Sequence, residues 1–305
     1  MRLFDLHCDT IYECSIGGHK LAKNNLHLDL KRGLKYDKWG QVFAVWMPDS
    51  LHGDDAWRQC QNMLRHFYNE AQENQHQLMI VNSAGDLETA MNTGRCAAIL
   101  AVEGGSALAG RIEVLDLMSS LKVKIITLTW NGSNELGHGC MSDCKDGLTD
   151  FGKQAVTGME KRHIIPDVSH LNYAGFWDVM QHTNGVVVAS HSVSAKVFSH
   201  TRNLDDKQFE AIRERGGLVG LTLCGAQLGQ QTFECIERHL EHYLSLNGER
   251  TVAFGCDFDG TDLPHGWGGI EVMQEIYKYF QSKNYDEVLL DRIFFGNCYD
   301  FFARL

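Results

Sequence analysis

Eight short, β-rich apolar runs recur along the chain with helical patterns between them. They are Leu3–His7, Val42–Trp46, Ala97–Val102, Lys124–Trp130, Ile164–Val168, Val186–Ser190, Leu218–Leu223 and Thr251–Cys256. Strands that alternate with helices predict repeated β-α units and a parallel sheet, because parallel neighbours need a crossover. Eight is the number that closes such a sheet into a (β/α)8 TIM barrel with its site at the C-terminal strand ends. The third and sixth runs are almost continuously apolar, the pattern of strands covered on both faces. A chain of 305 residues suits one barrel, and without repeats or a Pro-rich linker it predicts a single domain over 1–305.

Local signals punctuate the runs. Asp55–Glu73 carries Trp57, Met63, Leu64, Phe67 and Tyr68 near helical spacing. Asp205 with Gln208 forms a capping-box pattern ahead of Phe209 and Ile212, and Gly216-Gly217 ends that helix. Asp286 starts a helix through Leu289, Leu290 and Ile293, which Gly296-Asn297 is expected to break before a short closing helix. The Lys-, Asn- and Gly-rich insert Thr10–Gly40 reads as a loop over the end of the first run.

The formal net charge of -11 argues against nucleic acid and anionic membranes, which select basic surfaces. No run approaches the roughly 18 apolar residues of a membrane span, and Met1 leads almost directly into the first run, so no signal peptide is expected. Ten cysteines without a C-x-x-C pair read as reduced, mostly buried thiols, pointing to the cytoplasm. Aromatics such as Trp177 and Tyr277 could pack against a second subunit, so a homodimer stands open beside ordinary core packing.

In parallel barrels the working residues stand at the C-terminal strand ends. The first run ends in His7 and Asp9, the third in Glu103, the fifth in His170, the sixth in His191 and the eighth in Asp257. Residues two apart in a strand share a face, so His7 and Asp9 can address one point. Each residue taken alone has a plainer reading. A strand-end histidine is usually structural, Glu103 before two glycines could cap a helix, and Asp257 could belong to a turn with Gly260 at positive φ. Together, three imidazoles and three carboxylates, with Cys8 and Cys256 the only nearby thiols, suit divalent transition metals. Six groups exceed what one tetrahedral zinc holds, so two metals about 3.5–4 Å apart are expected, with Glu103 bridging. Phosphate-binding loops, dinucleotide fingerprints and the G-x-S-x-G elbow are absent. His239-Leu240-Glu241-His242 lacks the H-E-x-x-H spacing and reads as a solvated helix face.

Assembled in order, D-L-H-C-D-T at 5–10, A-V-E-G-G at 101–105, T-L-T-W-N at 127–131, D-V-S-H at 167–170, S-H-S at 190–192, R-N-L-D-D at 202–206 and C-D-F-D-G at 256–260 resemble the renal (membrane) dipeptidase family. These are the M19 metallopeptidases among the amidohydrolase-like barrels, and the resemblance spans nearly the whole chain. It implies two Zn2+ ions in the barrel mouth, one on His7 and Asp9, the other on His170 and His191, with Glu103 between them. It implies that Arg202 grips the C-terminal carboxylate of a small peptide, which a guanidinium fork does bidentately. It further implies dipeptide substrates and tolerance of a D-residue at the C-terminal position. One departure stands out. Many relatives end the fourth strand in T-L-T-H, with the histidine stabilising the oxyanion, whereas this chain has Trp130 followed by Asn131. Trp130 and Asn131 are thus substrate-binding candidates: Trp130 could shape the acyl pocket, and Asn131, Asn134, His138 or the metal could serve the oxyanion.

The expected function is a zinc-dependent dipeptidase in which a hydroxide bridging the two metals attacks the peptide carbonyl. Asp257 takes the water's proton and passes it to the departing amine. Two alternatives use the same residues: a metal-dependent amidohydrolase of N-acyl amino acids, and a catalytically silent metal-holding barrel that binds a peptide.

Overall fold

In the computed structural model, which describes residues 1–304, eight strands form one parallel sheet: β1 (Leu3–Cys8), β2 (Trp39–Trp46), β3 (Leu78–Ile80), β4 (Cys96–Glu103), β5 (Val123–Thr127), β6 (Ile165–Asp167), β7 (Val219–Leu221) and β8 (Val252–Phe254). The order is β6-β5-β4-β2-β1-β8-β7. Residues 188 and 189 close the ring, because Asp167 pairs with Val188 and Ala189 with Val219, both in parallel. The sixth run is therefore a two-residue bridge and not the strand expected over Val186–Ser190. Its ladder stops because Ser190 N donates to the Asp167 side chain (3.0 Å). β3 was not anticipated, since a three-residue L-M-I run carries no period. It pairs with the first half of β4, while β5 pairs with the second half.

Register explains where the core lies. Ala44 pairs with Ala101 and Trp46 with Glu103, and strand alternation puts Ile99 and Ala101 on Glu103's face. These residues pack with Phe4, Leu6, Val42, Ile125 and Val188 in one apolar cluster that includes Phe301 and Phe302. Phe4 stacks on Phe302 at 5.3 Å, which closes the barrel floor. The opposite faces, among them Val45, Leu100 and Val102, join a larger cluster with helical residues such as Met63, Phe67 and Phe176.

The helix Gly53–Glu73 buries Met63, Leu64 and Phe67 as its spacing predicts. The Asp205–Gln208 capping box forms, and Gly216 follows the helix Asp206–Glu214 at φ 69°. Other expectations need correcting. Gly296 breaks nothing: the helix Glu287–Asp291 continues through a π turn, Arg292–Gly296, into Asn297–Phe302, held by the buried Ile293, Phe294 and Phe295. The insert after β1 contains helices Thr10–Gly17 and Leu30–Gly33. It is tied down by His27 N to Asp259 Oδ1 (2.6 Å) and Tyr36 OH to Ile270 O (2.6 Å). His239 is buried with Cys235, Ile236, Leu240 and Tyr243 on the inner face of the helix Phe233–Ser245, and its Nδ1 accepts from Ser194 N (3.2 Å). That stretch is thus a core face. All ten cysteines are free. Among the described residues no helix is long and apolar enough to cross a membrane.

Candidate metal centre

Local backbone devices aim the strand-end side chains. The register of β1 against β2 shifts between Asp5 and Cys8. There the buried Asp5 carboxylate accepts from His7 N (3.0 Å) and Cys256 N (2.8 Å), stitching β1 to the end of β8. Asp9 lies beyond the strand at φ -99° and ψ 11°, heading the helix Thr10–Gly17. It reaches His7's target through that bend and not through strand alternation. His170 and Asp257 sit at φ 68° and 63°, a left-handed conformation that costs a non-glycine residue on the order of 1–3 kcal/mol. Gly260 lacks the positive φ expected of it, which Asp257 and Asp259 adopt instead. Its missing side chain leaves room: a Cβ there would lie under 3.0 Å from both Asp9 Oδ2 and Asp257 Oδ1.

Glu103 occupies the middle of the cluster and caps no helix. Its Oε1 lies 2.9 Å from His170 Nε2 and 3.5 Å from His191 Nε2, while its Oε2 lies 3.4 Å from His7 Nε2. His7 Nε2 is also 3.4 Å from Asp9 Oδ2 and 3.8 Å from Asp257 Oδ1. Potential ligand atoms fall into three triads, each within 4.8 Å: His7–Asp9–Glu103, Glu103–His170–His191 and His7–His191–Asp257. The geometry therefore brings together all six residues singled out at the strand ends.

Hydrogen bonds behind the imidazoles determine which nitrogens face inward. His170 Nδ1 donates to Asn131 Oδ1 (2.8 Å), and His191 Nδ1 donates to Ser190 Oγ (2.8 Å). Ser190 Oγ in turn donates to Asp167 Oδ2 (2.6 Å), which also accepts from Thr127 Oγ1 (2.6 Å). With both Nδ1 atoms donating, the Nε2 lone pairs of His170 and His191 meet across 2.8 Å. Two facing acceptors repel unless a cation lies beside them. His7 Nε2 and Asp9 Oδ1 are also buried without a hydrogen-bond partner, which costs about 1–3 kcal/mol per group. Oriented imidazoles and orphaned donor atoms fit divalent cations, and this N/O set suits zinc, manganese or cobalt.

The charges agree. Burial would discharge His7, but Glu103 and Asp9 outweigh it and hold the imidazole well above its usual range. Burial would likewise raise Glu103, yet the charge of His7 outweighs it and holds the carboxyl well below the carboxylate range. Burial and the charge of Glu103 push Asp9 up to about 7. Burial pushes Asp257 up to about 6, with His7 opposing. Burial, then the Arg202 charge, lowers His170 to about 4. Burial, then His7, keeps His191 neutral as well.

A cavity of about 500 Å³ opens over this cluster, lined among others by Trp130, Asn131, Arg202, Gln227 and Asp257. Arg202 is 7% exposed. Its Nη1 has no hydrogen-bond partner, and the guanidinium makes no ion pair among the described residues. Its backbone N donates to His200 Nδ1 (3.2 Å), and His200 also lines the cavity. Two oxyanion candidates, Asn134 and His138, are not among the residues that line the cavity and are engaged elsewhere. Asn134 Nδ2 donates to Leu128 O (2.9 Å), and His138 Nδ1 bonds Ser133 Oγ (2.8 Å). Sequence reasoning missed Asp5, Asp167, Ser190, His200, Tyr12 and Trp46. A carboxylate inside an apolar run, as in I-I-P-D-V, was the available sign for Asp167.

Known proteins resemble the chain throughout. Residues 1–302 match the membrane dipeptidase family, peptidase family M19. An uncharacterized protein of the pqqA 5' region of Klebsiella pneumoniae is 30% identical over 233 residues, covering 72% of this chain and 86% of its own. The solved structure of an M19 metallopeptidase, dipeptidase AC, gives a TM-score of 0.93 at 26% identity, covering 100% of this chain and 98% of its own. A Rhodobacter sphaeroides metallopeptidase, solved with a phosphinate mimic of the dipeptide L-Ala-D-Ala, gives a TM-score of 0.92 at 25% identity, covering 100% and 99%. Matched along its length in both sequence and backbone, the chain belongs to the membrane dipeptidase family, peptidase family M19, and is a metal-dependent enzyme of peptide-bond hydrolysis.

Proposed function

We propose that this chain is a single-domain, zinc-dependent dipeptidase of the cytoplasm. His7, Asp9, Glu103, His170 and His191 hold two ions, and Asp257 moves the proton. The observation that carries this reading is Glu103, which turns one carboxylate oxygen to His170 and His191 and the other to His7. Bound there, the ions supply Lewis acidity for the peptide carbonyl and a lowered pKa for water.

The remaining work falls to side chains. Arg202, with an unpartnered Nη1 in a buried wall, anchors the carboxylate of the C-terminal residue. Asn131 commits its Oδ1 to His170, which leaves its Nδ2 to donate to the carbonyl oxygen as charge develops. Asp257 takes a proton from the attacking water and delivers it to the amine nitrogen as the C–N bond breaks, releasing two amino acids. As with the ligand of the Rhodobacter sphaeroides enzyme, a D-residue at the C-terminal position is accepted.

Zinc-loaded protein offered L-L dipeptides, L-D dipeptides and N-acyl amino acids should contain two zinc ions per chain and cleave the dipeptides. Cleavage of N-acyl amino acids alone would replace this reading with an amidohydrolase. Two bound ions without turnover would leave a peptide-binding barrel.

A further inference from the structure

The cavity has two unlike halves, and the strand order separates them. Tyr12 follows β1, Trp46 ends β2 and Trp130 follows β5, all on the contiguous arc β1-β2-β4-β5 of the ring. His200 and Arg202 follow the 188–189 bridge, Gln227 follows β7 and Asp257 follows β8, on the opposite arc. The metal-ligand cluster lies between.

On the first arc the rings brace one another. Tyr12 and Trp46 meet edge to face at 4.7 Å and 89°, and Trp46 meets Trp130 at 5.0 Å and 77°. Trp130 in turn lies 6.2 Å from the His170 ring. Edge-to-face packing holds such side chains in place without ligand, so the apolar face is preformed. At its rim Ile16 and Met141 line the same cavity and stay 56% and 57% exposed. Large apolar side chains left in water around a cavity mark a surface that a ligand covers. Glu13, on the same arc, sets a like charge against an acidic side chain.

A dipeptide whose carboxylate meets Arg202 and whose scissile carbonyl lies over the ligand cluster must direct its N-terminal side chain to the first arc. We propose that the wall of Tyr12, Trp46 and Trp130 selects dipeptides whose N-terminal residue is large and apolar, aromatic residues above all. The inference rests on the dipeptidase reading and adds the substrate class to it.

The test is kcat/KM of the metal-loaded enzyme on Xaa-Ala with Xaa as Gly, Ala, Leu, Phe and Glu. Phe-Ala should exceed Gly-Ala by about 10- to 100-fold, the usual reach of an apolar pocket, and Glu-Ala should be the poorest. Trp130→Ala and, separately, Trp46→Leu should each lower the Phe/Gly ratio about tenfold. Because the readout is a ratio within one preparation, partial loss of folded protein does not mimic the effect. A wild-type enzyme that cleaves dipeptides with a flat profile would overturn this inference alone, as would an unchanged ratio in both variants. Failure to cleave any dipeptide would overturn the dipeptidase reading and this inference with it.

Discussion

Gly260 separates two carboxylates of the centre, and one added methyl group there is predicted to damage the site far more than the fold. Its φ lies outside the left-handed region, so alanine escapes the strain that a positive φ would impose. The obstacle is space. A Cβ would lie under 3.0 Å from Asp9 Oδ2 and Asp257 Oδ1, and 3.3 Å from Asp257 Cγ. Both neighbours are the free ends of short side chains, so they can swing aside by about 1 Å, with overpacking costing roughly 1–3 kcal/mol. For a chain of this size that is a fall in Tm of only a few degrees. The same 1 Å matters much more to chemistry: misplacing a reacting group by that distance costs about 100-fold in rate, and disturbing a ligand's support costs about 10- to 100-fold in metal affinity. Gly260→Ala should therefore melt cooperatively near the wild-type temperature, bind zinc at least about tenfold more weakly by calorimetry, and lose about 100-fold in kcat/KM. Wild-type zinc affinity and turnover would refute the reasoning, and loss of the cooperative melt would show that this glycine serves the fold instead.

Further outcomes follow from the same geometry. Asp257→Asn should keep its metal while kcat falls at least about 100-fold, and retained turnover would remove Asp257 from proton transfer. Ser190→Ala strips His191 Nδ1 of its acceptor and should weaken zinc binding about 10- to 100-fold without touching a ligand; unchanged affinity would make that hydrogen bond irrelevant. Because Glu103 and Asp9 outweigh burial to keep His7 protonated, and Asp9 is pushed up to about 7, metal uptake must expel protons. Zinc affinity should thus fall from pH 8 to pH 6, and a binding heat independent of the buffer would contradict it. The metal-free protein runs in the opposite sense for these groups: pKa values raised by folding stabilise it at low pH, and that contribution is lost as pH rises through the folded values. Chelation should lower Tm by roughly 6 °C where free zinc had been a thousandfold above Kd, and an unchanged melt would argue that no metal was held.

The barrel and the residues at its mouth were legible because both are local properties of the chain. Alternating apolar runs and helical periods follow from side-chain direction along a strand or helix, and a strand's last residue is known once the strand is. His7, Glu103, His170, His191 and Asp257 could therefore be read in order, and the folded chain brings them with Asp9 into overlapping triads. Where pairing partners decide, reading failed. The 188–189 bridge is cut short by a carboxylate 23 positions away, and β1 bends to His7 around Asp5, whose other partner, Cys256, lies 251 positions on. His239 was misread because its burial depends on which helix face the barrel covers. What the sequence by itself determined was the kind of fold and which side chains stand at strand ends. Only the tertiary structure decided which nitrogen each imidazole offers, where the unpaired guanidinium sits and which rings form a wall, because those depend on hydrogen bonds and contacts between segments that share no local pattern.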